Sequence, residues 1–267
     1  MNTLLRRVHW ILSQQLGVDL IRLGRFAFAL PWYLSDWLKF RRTYDGELGF
    51  LPCLHDKREQ SGAAATEYFA QDLYVAQQVF RANPRTHVDI GSRIDGFVAH
   101  LATFRTVTVI DIRPNATRIP NVEFLQADLM SPPGTLIAAL DSLSCLHTLE
   151  HFGLGRYGDP VDPNGFAIGL ANMARLVASG GTFYLSVPVG RERVEFNAHR
   201  VFHPRSILAP ARDNGLSVTH ILFIDERGHL IHWNGSDAQL DLIGAAPYTL
   251  AVFTFHKEPA PTYGEST

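Results

Sequence analysis

His147, Glu150 and His151 fall within the short run LHTLEHF and bring two imidazoles and a carboxylate to one turn. Imidazole titrates near neutrality, so either histidine suits removal of a proton from an oxygen nucleophile, with Glu150 as the alternative base. The same HxxEH spacing is a zinc-hydrolase pattern when it lies on a long helix, and a metal-dependent hydrolase using His147 and His151 is one reading of it. Here the run follows the apolar Ser142–Leu146 and leads to Gly153 and Gly155, so a strand-end turn is expected and no metal is assigned. The loop Gly153–Gly165, GLGRYGDPVDPNG, comes next and can cover a polar substrate with Arg156 and Tyr157. Asn197-Ala198-His199-Arg200 forms a second polar group. His199 joins the catalytic candidates, while Arg156, Tyr157, Asn197 and Arg200 are the substrate candidates. The two arginines suit an anionic substrate, because guanidinium forks bind carboxylate or phosphate well.

Three aspartates make a further set. Asp89 stands in His87–Ile90 just ahead of Gly91, Asp111 follows Val107–Ile110, and Asp128 follows Val122–Gln126. If those runs are strands, each acid lies at a carboxyl end, where open α/β sheets collect ligands near the point at which strand order reverses. An acid ending the second strand can accept from both hydroxyls of a ribose, and Asp128 can face an exocyclic amine. Val88–Gly96, VDIGSRIDG, reads as a nucleotide-binding loop that has lost part of its glycine signature. Gly91 permits the sharp turn, but Arg93 and Asp95 stand where glycine usually recurs, and Gly96 comes one position later. Each acid also suits a plain structural role, capping a helix or bonding turn amides.

The elements needed to position these groups follow from periodicity. Helices are expected over Thr66–Arg81, Ile94–Thr103, Gly165–Val177 and Pro204–Asn214. Strands are expected over His87–Ile90, Val107–Ile110, Val122–Gln126, Ser142–Leu146, Gly181–Val187, Leu216–Asp225 and Thr249–His256. This alternation predicts an α/β, Rossmann-like fold: a mostly parallel sheet with helices on both faces and a helical N-terminal extension.

In this order the motifs VDIGSRIDGF, VTVIDIRP, FLQADLM, DSLSCLHTLEHF, LVASGGTFYLSVP and HRVFHPRSILAPARDNGL resemble the class I S-adenosylmethionine-dependent methyltransferases over Thr66 to Lys257. The chain also resembles an uncharacterised methyltransferase-like group with SRIDGF and LEHFGLGRYGDP sequences. The resemblance implies S-adenosylmethionine as donor. It implies that Asp89 and Gly91 shape the methionine end of the pocket, in the loop that carries Arg93 and Gly96. Asp111 then holds the ribose, Asp128 meets the adenine edge, and Leu129 packs on the purine. The polar loops suggest methyl transfer to a small polar acceptor, with a sugar or envelope precursor as the class considered.

Composition narrows the alternatives. The 267 residues carry a formal net charge of −2, which gives no overall attraction to nucleic acid. Two cysteines, Cys53 and Cys145, lie outside any zinc or disulfide spacing, and Cys145 is expected as a small buried hydrophobe. Residues 1–42 are the one basic region: Arg6, Arg7, Arg22, Arg25, Lys39, Arg41 and Arg42 against Asp19 and Asp36, seven minus two, or +5. The pattern there is helical, with a break expected at Pro31. This arm is expected to pack its apolar stripe on the main domain, with contact to a membrane surface or a partner protein as the other reading. Charges interrupt its apolar run repeatedly, so a cytoplasmic protein is expected, with a position peripheral to a membrane as the other reading. The expected organisation is an arm and connector over 1–60, the Rossmann-like domain over 61–258 and a frayed tail over 259–267. A different class of function stays open beside the enzyme: a methyltransferase-shaped binding or scaffold protein, with Arg93 and Asp95 as marks of a lost donor site.

Overall fold

The computed structural model describes residues 3–54, 56–58, 64, 66–132, 134 and 140–258. The chain forms two compact units, Met1–Ala63 and Ala64–Thr267. The boundary expected near residue 60 and the tail 259–267 lie outside the described residues.

In the first unit, helix α1 (Thr3–Trp10) runs into a wide turn at Ile11–Gln15, and helix α2 covers Leu20–Arg41. Asp19 caps α2 by accepting from the backbone N–H groups of Ile21 and Arg22 at 2.9 and 3.0 Å. The break expected at Pro31 does not occur, because α2 continues through it. Proline removes one helical hydrogen bond, but the carbonyl it orphans belongs to Ala27, which is exposed and open to water. No residue of α2 is buried, and no helix among the described residues is long and apolar enough to cross a membrane.

The second unit is built on strands β1 (Val88–Ile90), β2 (Val107–Asp111), β3 (Val122–Gln126), β4 (Leu140–Leu146), β5 (Val177–Val189), β6 (Arg193–Glu195), β7 (His199–Val201), β8 (Leu216–Ile224), β9 (Leu230–His232) and β10 (Thr249–Lys257). Eight form one sheet in the order β3-β2-β1-β4-β5-β10-β8-β9, and β6 pairs with β7 as a separate hairpin. The first five are parallel, whereas β10 is antiparallel to both β5 and β8. Strand order reverses between β1 and β4, so the carboxyl ends of those two strands flank the crevice.

Alternation along β10 explains how one sheet serves two cores. Ala251, Phe253 and Phe255 face the side covered by α5 (Gly165–Leu176), α6 (Pro204–Asp213) and α7 (Asp237–Ala245). Leu250 and Val252 face the side covered by α3 (Glu67–Ala82) and α4 (Ala99–Ala102). Both faces are apolar because both are buried. Phe253 stacks on Phe255 at 5.7 Å, and each fully buried ring stabilises the fold by about 1.5–3 kcal/mol. Cys145 is fully buried, and burial pushes its thiol well up.

Three local expectations change. The helix expected from Ile94 opens instead as a wide turn over Ile94–Val98, with Gly96 at φ −123° and ψ −109°, before α4 begins. A side chain at Gly96 would collide with the Asp72 carboxylate, so Gly96 admits that acid against the backbone. Val177 belongs to β5 rather than to the preceding helix, and β5 extends on both sides of the expected Gly181–Val187. The short elements β6, β7, β9 and α7 were not expected from periodicity.

Candidate active site

The strand-end acids divide into two kinds. Asp89 is fully buried and lines neither of the two cavities at these strand ends; it accepts from Ser92 N at 3.0 Å, Ser92 Oγ at 2.7 Å and Ser144 Oγ at 2.6 Å. It therefore holds the loop after β1 from beneath. Gly91, at φ +67°, lies on the cavity wall, and a side chain there would strike Thr148.

Asp111, Asp128 and Leu129 line one narrow cavity of about 60 Å³ with Gly91 and Ile110. Asp128 Oδ1 also accepts from Met130 N at 2.8 Å, so it fastens its own turn. Asp111 is engaged by a residue the sequence reading passed over. Arg113 donates to it from Nε at 3.0 Å and from Nη2 at 2.6 Å, and its guanidinium lies 4.6 Å over the Tyr157 ring. Arg113 and Asp111 both line the cavity, whose volume is well below the roughly 300 Å³ at which ordinary ligand sites begin. Arg93 plays no such part. It is exposed and paired with Asp95 at 2.7 Å, although it borders the neighbouring cavity.

That neighbour is larger, about 440 Å³, and is lined by His147, Glu150, His151, His199, Arg156 and Tyr157 together with Tyr68, Asp72 and Tyr248. The two cavities share Gly91, Arg113, His147, His151 and Tyr157. The HxxEH run directly follows β4 and closes in a single tight turn at Leu149–His151, rather than a long helix. Among the described residues no group of three or more His, Cys, Asp or Glu side chains could hold a metal ion.

His147 has a left-handed backbone, φ 52°, with its N–H donated to Ser186 O at 3.0 Å. Its Nδ1 lies 2.8 Å from Glu150 Oε1. Burial on its own would push the Glu150 carboxyl up, but the hydrogen bond from His147 leads the effects that together outweigh it and bring the carboxyl below the usual carboxylate range. An ionised carboxylate only accepts, so the Nδ1 proton belongs to His147 and points at Glu150. Burial lowers both His151 and His199, which favours their neutral forms. His151 Nδ1 bonds Ala198 O at 2.7 Å, the carbonyl that Arg156 Nη1 also reaches at 2.7 Å.

Two substrate candidates stand apart from these walls. Arg200 is only 5 % exposed and directs its fork at the carbonyls of Glu150, Phe152, Asp162 and Pro163. It is committed to holding the Gly153–Gly165 loop against the turn. Asn197 is exposed in the β6–β7 connection and lines neither cavity. Missing from the sequence reading were Glu67, Tyr68 and Asp72 at the start of α3, and Tyr248 before β10. The available signal was Gln71 and Asp72, two polar residues on the helix face that continues through Val75, Ala76 and Val79 into the core.

Asp89 also belongs to a buried chain that predicts acid behaviour. His87 meets Ser142 Oγ at 2.8 Å and Ser144 Oγ at 3.1 Å, and Ser144 leads on to Asp89. Burial takes His87 down to about 3 from an ordinary 6.5, and takes Asp89 up to about 6 from 3.8. As pH falls below 6.5, the unfolded chain protonates at His87 before the folded one does, and stability falls. Between about 6 and 3.8 the folded chain protonates first at Asp89, and that contribution rises. Asp89→Asn removes the offset and is expected to steepen the acid loss across this window in urea midpoints. A variant profile parallel to the wild type would show that Asp89 does not titrate there.

Residues 111–208 match the family described as Caenorhabditis protein of unknown function, DUF268. No curated protein matches the chain. The chain is similar to the 1,6-didemethyltoxoflavin-N1-methyltransferase of Burkholderia thailandensis, whose structure holds 1,6-didemethyltoxoflavin and S-adenosylhomocysteine. The two share 16 % identity over 86 % of this chain and 91 % of that one, with a TM-score of 0.52. It is also similar to the N-methyltransferase NodS of Bradyrhizobium japonicum in complex with S-adenosylhomocysteine, at 14 % identity, 84 % and 98 % coverage and a TM-score of 0.50. A geranyl diphosphate methyltransferase in complex with S-adenosylmethionine gives 10 % identity, 70 % and 84 % coverage and a TM-score of 0.51. At such identities the shared property is architecture: the chain has the fold of the class I S-adenosylmethionine-dependent methyltransferases.

Proposed function

We propose that the protein transfers a methyl group from S-adenosylmethionine to a small polar acceptor. The observation that carries this reading is the pair of adjoining cavities, one walled by strand-end acids and the other by polar side chains around His147 and Glu150. Gly91 leaves backbone bare at the lip, Asp111 offers a carboxylate to ribose hydroxyls, and Leu129 offers an apolar wall, so the residues fit a nucleoside-bearing donor. When bound, the donor supplies a methyl on a positively charged sulfur, an electrophile whose reaction depends chiefly on alignment and exclusion of water. His147 receives the acceptor's proton at Nε2, with Glu150 fixing the ring through Nδ1. The strained backbone of His147 aims the imidazole at the seam between the cavities.

The Arg113 fork on Asp111 favours a second reading, a binding protein of the same fold in which the ribose position is closed. Calorimetric titration with S-adenosylhomocysteine separates the two. Saturable binding below about 1 mM is expected for the enzyme. Absence of heat and of any thermal shift at millimolar ligand would leave the binding-protein reading.

A further inference from the structure

Among the described residues, four buried side-chain polar atoms have no hydrogen-bond partner: Glu67 Oε2, His147 Nε2, Glu150 Oε2 and Arg105 Nε. Arg105 lines neither cavity, and Glu67 reaches the larger one only through its neighbours His147 and Tyr248, which do line it. The other three form one cluster, because Glu150 Oε1 lies 2.8 Å from His147 Nδ1 and Glu67 Oε1 lies 3.9 Å from His147 Nε2. Tyr248 fixes the Glu67 carboxylate by donating to Oε1 at 2.7 Å. With the His147 proton on Nδ1, all three orphans at this site are acceptors. A buried acceptor without a donor costs about 1–3 kcal/mol, so the cluster lacks hydrogen-bond donors that the chain itself does not supply.

Charge points the same way. Asp72 is the second carboxyl on the wall after the ionised Glu150, accepting from Gln71 Nε2 at 2.8 Å, while burial pushes it and Glu67 up. The bordering arginines are engaged: Arg93 by Asp95, Arg113 by Asp111 and Arg156 by the Ala198 carbonyl. An acceptor ending in carboxylate or phosphate would meet like charge at the reacting position. A hydroxyl brings one donor and no charge, whereas an ammonium brings up to three donors and a positive charge. Tyr68 stacks over His147 at 4.3 Å and is 42 % exposed, so the cluster's cover is an aromatic face at the solvent edge, which itself attracts cations.

We infer that the larger cavity takes an amine as methyl acceptor, its ammonium received by His147 and Glu150 on the wall, with the Glu67 carboxyl 3.9 Å from His147 Nε2. This rests on the methyltransferase reading of the adjoining cavity. The ammonium gives one proton to His147 Nε2 and becomes a neutral amine. Its lone pair forms the nitrogen–methyl bond as the sulfur–methyl bond breaks, the sulfur keeps the bonding electrons, and the product leaves as an N-methylammonium. Glu67 and Glu150 then flank the imidazolium on its two nitrogens.

Ethanolamine, ethylene glycol and glycolate share a hydroxymethyl end and differ at the other, which is cationic, neutral or anionic. Titrated calorimetrically into protein saturated with S-adenosylhomocysteine, ethanolamine is expected to bind at least about tenfold more tightly than the other two. Glu67→Gln is expected to remove most of that preference while leaving S-adenosylhomocysteine affinity unchanged. Ethanolamine binding no tighter than ethylene glycol or glycolate, including no detectable binding, overturns the inference, as does a Glu67→Gln protein that keeps the preference. The wild-type ranking decides the acceptor class even if the variant fails to fold. If S-adenosylhomocysteine does not bind, the methyltransferase reading fails separately, and the same ranking on the free protein still tests the cavity.

Discussion

Asp111→Ala is expected to weaken S-adenosylhomocysteine binding by about a hundredfold, the equivalent of about 3 kcal/mol. Two ribose hydroxyls donating to one carboxylate are charge-assisted bonds of about 1.5–3 kcal/mol each, and the release of Arg113 offsets part of their sum. The same competition gives Arg113→Ala the opposite sign. Removing a guanidinium that is half exposed and bonded to Asp111 at 2.6 Å is expected to tighten binding about fivefold, because the donor no longer displaces it. Calorimetry at one fixed ionic strength measures both. An Asp111→Ala protein that binds as the wild type does would reduce Asp111 to its turn role, accepting from Arg113 N at 2.8 Å. An Arg113→Ala protein that binds more weakly would show the guanidinium contacting the ligand.

Much of the framework was legible because it rests on local pattern. Strands such as Val107–Asp111 are short apolar runs between turn residues, and an acid at their ends is visible without knowing the sheet order. The expected roles of those acids were harder to read, because Asp89 and Asp111 look alike in sequence. Only burial separates a loop-fastening carboxylate from one that faces a cavity. Arg200 looked like an anion receptor for the same reason: the four carbonyls that hold it come from Glu150 through Pro163 and converge only in the fold. Glu67, Tyr68 and Asp72 were hidden within an amphipathic helix whose apolar stripe accounts for its periodicity. Helix α7 left one unused signal, the Ser236 cap three residues before Gln239, whose N–H that hydroxyl accepts. Pro31 misled because a proline's cost depends on whether the freed carbonyl can find water, and exposure is not written in the local sequence.

His147→Ala is expected to lower methyl transfer by about a hundredfold or more while leaving S-adenosylhomocysteine affinity within about threefold, because a positioned general base contributes roughly 10²–10⁴ in rate. Release of labelled methyl from S-adenosylmethionine into the small-molecule fraction reads the first quantity, and calorimetry reads the second. The separation follows from geometry: His147 lies where the cavities meet, but Asp111, Asp128 and Leu129 line the smaller cavity alone. Glu150→Gln tests the orientation of the ring. An amide can accept from Nδ1 through its oxygen but cannot offset an imidazolium charge, so a smaller loss, about tenfold, is expected. Added imidazole is expected to recover part of the His147→Ala rate by entering the space the ring leaves, and to recover nothing in Glu150→Gln, where the ring is still present. Equal losses of rate and donor affinity in His147→Ala, with no rescue, would instead assign the histidine to shaping the turn between β4 and Gly153.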